Sequence, residues 1–150
     1  MNRDISQIST YESGVMQATA NRILGRINAD FLSNYDLTPS QWFVIGYCYD
    51  AGSTGIALSE LMRLLDTSMP HITNTVNMLE SKGILHKLTN PGDNRVKIAK
   101  LHPKYKKTAD EIEKGLREEL RTQLYSAGNI TRQELSDYIT VLHKLTQANK

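Results

Sequence analysis

Apolar residues recur at spacings of three and four over most of the chain, and the polar positions between them carry the signals that start and stop helices. Val15 or Met16, Ala20, Ile23, Leu24, Ile27 and Phe31 mark a first amphipathic helix from about residue 8 to 34, longer than a small core needs. TPSQWFVIGYCYD opens a second, with Thr38 as N-cap, Pro39 at the first helical position and Gln41 closing a capping box. Trp42, Phe43, Ile45 and Tyr49 give it a wide apolar face, and GSTG at 52–55 ends it. LSELMRLLD (58–66) reads as a short helix with Leu58, Leu61, Leu64 and Leu65 inward, and only Thr67 and Ser68 separate it from the next.

That next helix, MPHITNTVNMLESKG, has Ser68 as N-cap and Pro70 in the first turn, where a backbone N–H would otherwise go unpaired. Ile72, Val76 and Leu79 form its inner stripe and Gly83 its stop. The opposite face, His71, Thr73, Asn74 and Asn77, is polar and almost uncharged, whereas a merely solvated face more often carries Glu and Lys. Two strand-like runs follow, ILHKL and VKIAKL, joined by the turn TNPGDNR. A long helix over about 103–126 then carries Tyr105, Ala109, Ile112, Leu116, Leu120 and Leu124 at helical spacing, with Gly128 past its end. ITRQEL announces the last helix: Thr131 and Glu134 make a capping box, Ile130 and Leu135 a hydrophobic staple, and Leu135, Tyr138, Ile139, Leu142 and Leu145 the stripe.

Two short helices joined by a tight turn, the second polar on its outer face, describe a helix-turn-helix, and the hairpin after them adds a wing. Side chains that enter a major groove must both donate and accept hydrogen bonds. Asn74 and Asn77 can pair with adenine edges, His71 and Thr73 with bases or phosphates, and Pro70 can meet a thymine methyl. The helix N-terminus capped by Ser68 offers free N–H groups to a phosphate. Each of these residues, taken singly, also fits an ordinary exposed polar position.

Charge points the same way. Residues 1–56 carry a net −2, residues 57–107 a net +5 and residues 108–150 a net −1. A basic middle between acidic ends suits a polyanionic partner, and equally a solvated basic face. The 150 residues fit one domain, and 39% hydrophobic with 23% charged residues describe a soluble globular protein. With no run of some 20 apolar residues and a polar start, MNRDISQIST, a cytoplasmic location is expected and no membrane partner. The single cysteine, Cys48, leaves no disulfide or CxxC pair, and neither metal nor cofactor is expected.

From about Leu37 to Lys107 the sequence resembles the MarR family of winged-helix transcriptional regulators, through LTPSQWFVI (37–45), LSELMRLL (58–65), SMPHITNTVNMLESKGIL (68–85) and NPGDNR…L (90–101). The resemblance implies a mainly α fold: a winged helix-turn-helix with a two-stranded wing, flanked by N- and C-terminal dimerisation helices. Residues 1–150 then form a single domain, with the winged part at about 37–102 and the dimerisation helices at about 8–34 and 103–148. It implies a homodimer on a pseudo-palindromic double-stranded DNA operator, acting as a repressor, with helix 69–82 in the major groove and wing 84–101 at the minor groove. The family's D-x-R falls on Asp93, as brace, and Arg95, as minor-groove probe. Lys87, Lys97, Lys100, Lys104, Lys106 and Lys107 are candidates for phosphate contact. The candidate DNA-binding set is therefore Ser68, Pro70, His71, Thr73, Asn74, Asn77, Asp93, Asn94, Arg95 and Lys97. The departures from the family pattern are Asn74 and Asn94 at places often basic, Ala57 where a capping Thr is common, and LHPKY where LTxxG is usual. His102, a poor cap, then predicts a differently built start to the fifth helix.

Family members often release DNA on binding a small aromatic acid between the dimerisation helices and the winged part. The corresponding lining candidates are Trp42, Ile45, Tyr49 and Tyr105, for an aromatic or phenolic effector, although aromatics at helical spacing are more often ordinary core. No basic residue stands out to clamp a carboxylate. Cys48 reads as a buried structural thiol, with redox sensing the alternative. Catalysis is not expected: His71, His86, His102 and His143 lack ligand spacing, and no nucleophile motif or phosphate loop is present. The carboxylates of 110–119 read as i to i+4 ion pairs with Lys114, Arg117 and Arg121. The competing function is a winged helix that serves as a protein-interaction module without DNA binding.

Overall fold

The computed structural model describes residues 4–148 and 150. Six helices and a small sheet follow one another as α1 (Thr10–Ser33), α2 (Pro39–Ala51), β1 (Ile56–Ala57), α3 (Leu58–Leu64), α4 (Met69–Ser81), β2 (Leu85–Asn90), β3 (Asp93–Leu101), α5 (Lys106–Leu120) and α6 (Arg132–Ala148). The fold is mainly α and winged, as the pattern of the sequence predicts, with one strand more than expected. The sheet is antiparallel in the order β1-β3-β2, β1 pairing Ile56 with Ala99 and Ala57 with Ile98.

Local chemistry accounts for the helix starts. Ser9 Oγ accepts the Glu12 N–H at 3.1 Å to begin α1, and the capping box at α2 is complete, with Thr38 Oγ1 accepting from Gln41 N–H and Gln41 Oε1 from Thr38 N–H. Ser68 Oγ accepts the His71 N–H at 3.3 Å to begin α4. Ala57 supplies no side-chain cap to α3; its place in the sheet, bonded to β3, holds that start instead. Gly55 makes the passage from α2 to β1 possible. Its φ is +70°, and a Cβ there would stand 2.6 Å from Ile98 Cγ2 and 2.8 Å from the Ala99 carbonyl oxygen.

One core joins the winged part to the flanking helices. Val44, Ile45 and Cys48 of α2, Leu58 and Leu61 of α3, Ile72, Val76 and Leu79 of α4, Ala99 of β3, and Ala109 and Ile112 of α5 are all buried together, with Leu32 of α1. Burial pushes the Cys48 thiol up to about 12, so it stays protonated and packs as a small apolar group. At the crossing of α1 and α5, a Cβ on Gly115 would meet Phe31 Cζ at 2.5 Å, so glycine sets how closely the two helices approach.

The long fifth helix is three pieces. Pro103–Tyr105 is a 3-10 turn, Lys106–Leu120 is regular, and Arg121–Tyr125 widens to a π turn in which Ser126 N–H reaches the Arg121 carbonyl. His102 is a better cap than its type suggests: its Nδ1 accepts the Lys104 N–H at 3.1 Å, and its own N–H donates to the Ile84 carbonyl. The left-handed residue past the fifth helix is Asn129, φ 55°, rather than Gly128. Glycine at 128 serves close packing, since a Cβ would lie 3.1 Å from the Leu124 carbonyl oxygen.

α6 starts with the expected capping box between Thr131 and Glu134. It buries none of its residues, and its stripe of Tyr138, Ile139, Leu142 and Leu145 is exposed, as are Tyr11, Val15 and Met16 on the first half of α1. No helix among the described residues is long and apolar enough to cross a membrane.

Candidate nucleic-acid interface

Helix α4 buries one side and leaves the other for use. Ile72, Val76 and Leu79 are fully buried, and Thr75, also inward, satisfies its hydroxyl by donating to the His71 carbonyl at 2.8 Å. Ser68, Pro70, His71, Asn74 and Asn77 lie exposed on the remaining surface, with Thr73 half-buried among them. The first six residues of the expected set are therefore gathered on one helix and its cap.

The wing follows directly. Asn90 Oδ1 accepts the Gly92 N–H at 2.9 Å, so the Pro91–Gly92 reversal is closed by a side chain. The ladder shifts register between Thr89 and Asn90, and Asn90 faces Asp93. Asp93 then grips Arg95 three times: Oδ1 accepts the backbone N–H at 3.0 Å and Nε–H at 3.1 Å, and Oδ2 accepts from Nη2 at 3.3 Å. These bonds, the guanidinium's first, hold the Asp93 carboxyl below its ordinary value. The Arg95 side chain nevertheless stays 91% exposed. Asn94 is exposed beside it, and Lys97 Nζ donates to Thr89 Oγ1 at 3.0 Å across the hairpin.

Two contacts join wing to helix, and the sequence did not announce them. Glu80 Oε2 near the end of α4 accepts the Lys87 N–H at 2.7 Å, and Lys87 Nζ donates to Asn77 Oδ1 at 2.6 Å. Nor did spacing reveal that His86 and His102 stack, with ring centroids 4.6 Å apart.

A second feature lies behind α4. A cavity of about 920 Å³ opens between α2, the α3–α4 turn and α5, and Trp42, Ile45 and Tyr49 line it as expected. Tyr105 does not reach it: the 3-10 turn that carries Tyr105 sets it against the core, where burial raises its hydroxyl pKa. His71 lines the cavity from the first turn of α4. Asp50, Asp66, Asp110 and Glu113 ring it, and no Lys or Arg among the described residues does. Of the predicted ion pairs on α5, Glu113 with Arg117 and Glu118 with Arg121 form, while Asp110 turns inward to accept the Tyr49 hydroxyl. That bond first, then burial, raises the Tyr49 hydroxyl pKa. No group of three or more His, Cys, Asp or Glu suited to a metal is present among the described residues.

Comparison with known proteins places this arrangement. Residues 37–97 match the model of the MarR family. Among solved structures, a cysteine-to-serine mutant of MarR from E. coli is 24% identical, the match covering 97% of this chain and 99% of that one with a TM-score of 0.73. The same mutant protein complexed with operator DNA is 25% identical over 88% of this chain and 91% of that chain, at a TM-score of 0.69. A MepR–DNA complex from S. aureus, 18% identical, covers 90% and 96% at a TM-score of 0.75 and shares the fold. No curated protein matches the chain.

Proposed function

We propose, from the match of residues 37–97 to the model of the MarR family, that the chain is a sequence-specific, double-stranded DNA-binding transcriptional repressor acting as a homodimer. The single observation that carries this reading is Arg95, a guanidinium 91% exposed yet gripped by Asp93. An exposed surface arginine has no structural need of a brace, whereas a minor-groove probe gains from being aimed before it binds. Helix α4 enters the major groove with His71, Asn74 and Asn77 toward the bases, Thr73 and Pro70 at its flank, and the Ser68-capped N-terminus toward a phosphate. The wing follows the backbone with Arg95, Asn94 and Lys97.

The division of labour is that of the expected domain plan. Residues 37–102 form the DNA-binding part, while 8–34 and 103–148 pair with a second copy, whose apolar surface covers the exposed stripe of α6 and the first half of α1. Two α4 helices related by a two-fold axis then address successive major grooves, about 34 Å apart, on a pseudo-palindromic operator.

The cavity supports effector control, because an occupant would touch His71 and so bear on the start of α4. With Glu113 paired to Arg117 and Asp110 taken by the Tyr49 hydroxyl, Asp50 and Asp66 still favour a neutral phenol over an aromatic acid, and Trp42 is the open stacking face because Lys106 Nζ lies 5.8 Å over the Tyr49 ring. A role as a protein-interaction module gains no comparable support, since it leaves the braced Arg95 unused. Binding to a random duplex, titrated with salt, tests the proposal. Affinity should fall steeply and linearly in log–log form, and Arg95→Ala should weaken operator binding about tenfold or more with the dimer intact. Binding that is absent or indifferent to salt overturns it.

A further inference from the structure

We propose that Asn77 and Lys87 act as one unit that reads guanine, and that Lys87 removes adenine from what Asn77 can recognise. The inference rests on the DNA-binding reading above and concerns its base preference. A free asparagine side chain favours adenine, because its amide can donate to N7 and accept from the N6 amino group at once. Here the amide is not free. Lys87 Nζ lies 2.6 Å from Asn77 Oδ1, and an ammonium only donates, so the atom it grips must be the carbonyl oxygen. The Asn77 NH2 group is thereby turned outward, and the half of the amide that would accept from adenine faces a positive charge.

Lys87 is itself held. It is half-buried on β2, its backbone N–H is bonded to Glu80 Oε2, and it pairs with Ala99 in the ladder. The ammonium is therefore carried to Asn77 by a rigid strand and retains two further N–H donors. Together the pair presents the amide N–H groups of Asn77 and the remaining ammonium N–H groups, while Asn77 Oδ1, with one of its two lone pairs taken and a positive charge beside it, is a weakened acceptor. Of the four bases in the major groove, guanine alone shows two adjacent acceptors, N7 and O6, with no amino group of its own there. Adenine, by contrast, presents its N6 amino group to the ammonium. The contact also ties the end of α4 to the wing, so helix and hairpin should meet DNA as one body.

Selection of duplexes from a random pool, run in parallel with the wild-type chain, Lys87→Met, Lys87→Arg and Asn77→Ala, tests the proposal. The wild-type pool should show a guanine at a symmetry-related pair of positions. Lys87→Met should lose that preference by about tenfold, the worth of one good bidentate contact, and gain adenine there as Asn77 is freed. Lys87→Arg, still donor-only, should keep guanine, and Asn77→Ala should lose it without gaining adenine. On the wild-type chain alone, 7-deazaguanine at the selected position should cost a similar factor, a readout that no folding defect can imitate. A Lys87→Met pool with the wild-type base pattern and a uniform loss of affinity would make Lys87 a phosphate contact and overturn the inference while sparing DNA binding. Failure of the wild-type chain to enrich any sequence overturns both.

Discussion

Helices α4 and α6 begin with the same device, a hydroxyl accepting the amide three residues on, yet they expose opposite halves of themselves. α4 hides Ile72, Val76 and Leu79 and shows His71, Asn74 and Asn77. α6 hides nothing fully and shows Ile139, Leu142 and Leu145, the last 57% exposed. Helix propensity alone does not hold a 17-residue segment in water, so the apolar face of α6 needs a surface that this copy does not provide. α4 is finished by its own chain, and its uncovered polar face is left for a ligand. On the proposed function, the difference is that between a recognition surface and an assembly surface.

The strongest way to break that contrast is to charge the α6 stripe. Ile139→Asp with Leu142→Asp should raise the dimer dissociation constant by at least about a hundredfold, since two aliphatic side chains lose roughly 1.5–3 kcal/mol of burial each. Sedimentation velocity would read it as a shift to monomer, with the near-ultraviolet signal of Trp42 unchanged. A variant that stays dimeric would place the assembly surface elsewhere. Ile72→Ala, at a position with no exposure at all, should instead cost about 3 kcal/mol through the cavity it leaves. Thermal melts at several protein concentrations separate the two classes. The loss from Ile72→Ala should persist at saturating concentration, whereas the loss from the α6 changes should track it.

Much of this contrast was legible in the sequence, because caps and stripes are local. Ser68, Thr38 with Gln41, and Thr131 with Glu134 act within three residues, and the inner positions of α4 follow from spacing alone. What escaped depends on partners far along the chain. β1 is two residues long and exists only through β3. The carboxylates of the cavity come from α2, the α3–α4 turn and α5, and on α5 Asp110 reads as half of an ion pair until Tyr49, 61 positions away, is placed beside it. Tyr105 carries the period of the fifth helix, but the 3-10 turn rotates it out of the cavity. Asn77 reads as free until Lys87 arrives on the neighbouring strand. In the candidate interface, the membership of each face was readable and the orientation of the groups on it was not.

Removing the caps sharpens the comparison at smaller scale. Ser68→Ala and Thr131→Ala each remove one acceptor for an otherwise unpaired N–H and should each cost about 1 kcal/mol. They should differ in what fails. Ser68→Ala should weaken DNA binding, because the helix end that it organises faces the phosphate. Thr131→Ala should weaken dimerisation and leave the DNA affinity of dimers already formed at high concentration unchanged. Equal effects on both properties from either substitution would mean that the two surfaces are not separable.

The smallest effect distinguishes the caps by pH. At α6 the box is closed by a carboxylate: Glu134 Oε1 accepts the Thr131 N–H at 3.1 Å, and that backbone bond, then the Thr131 side chain, lowers the Glu134 pKa from its ordinary 4.5. A depressed folded-state pKa means that Glu134 contributes stability above pH 4.5 and loses it as the pH falls through the lower, folded value. The start of α4 has no acid in its first turn, so its Ser68 cap lacks that source of pH dependence. Amide chemical shifts followed from pH 6 to pH 3 should therefore move at Thr131 together with the Glu134 carboxyl, with no matching carboxylate step in the first turn of α4. Glu134→Gln keeps the box, removes the charge, and should flatten the Thr131 titration while leaving α6 in place. If Thr131 titrates unchanged in Glu134→Gln, the α6 cap does not depend on that carboxylate.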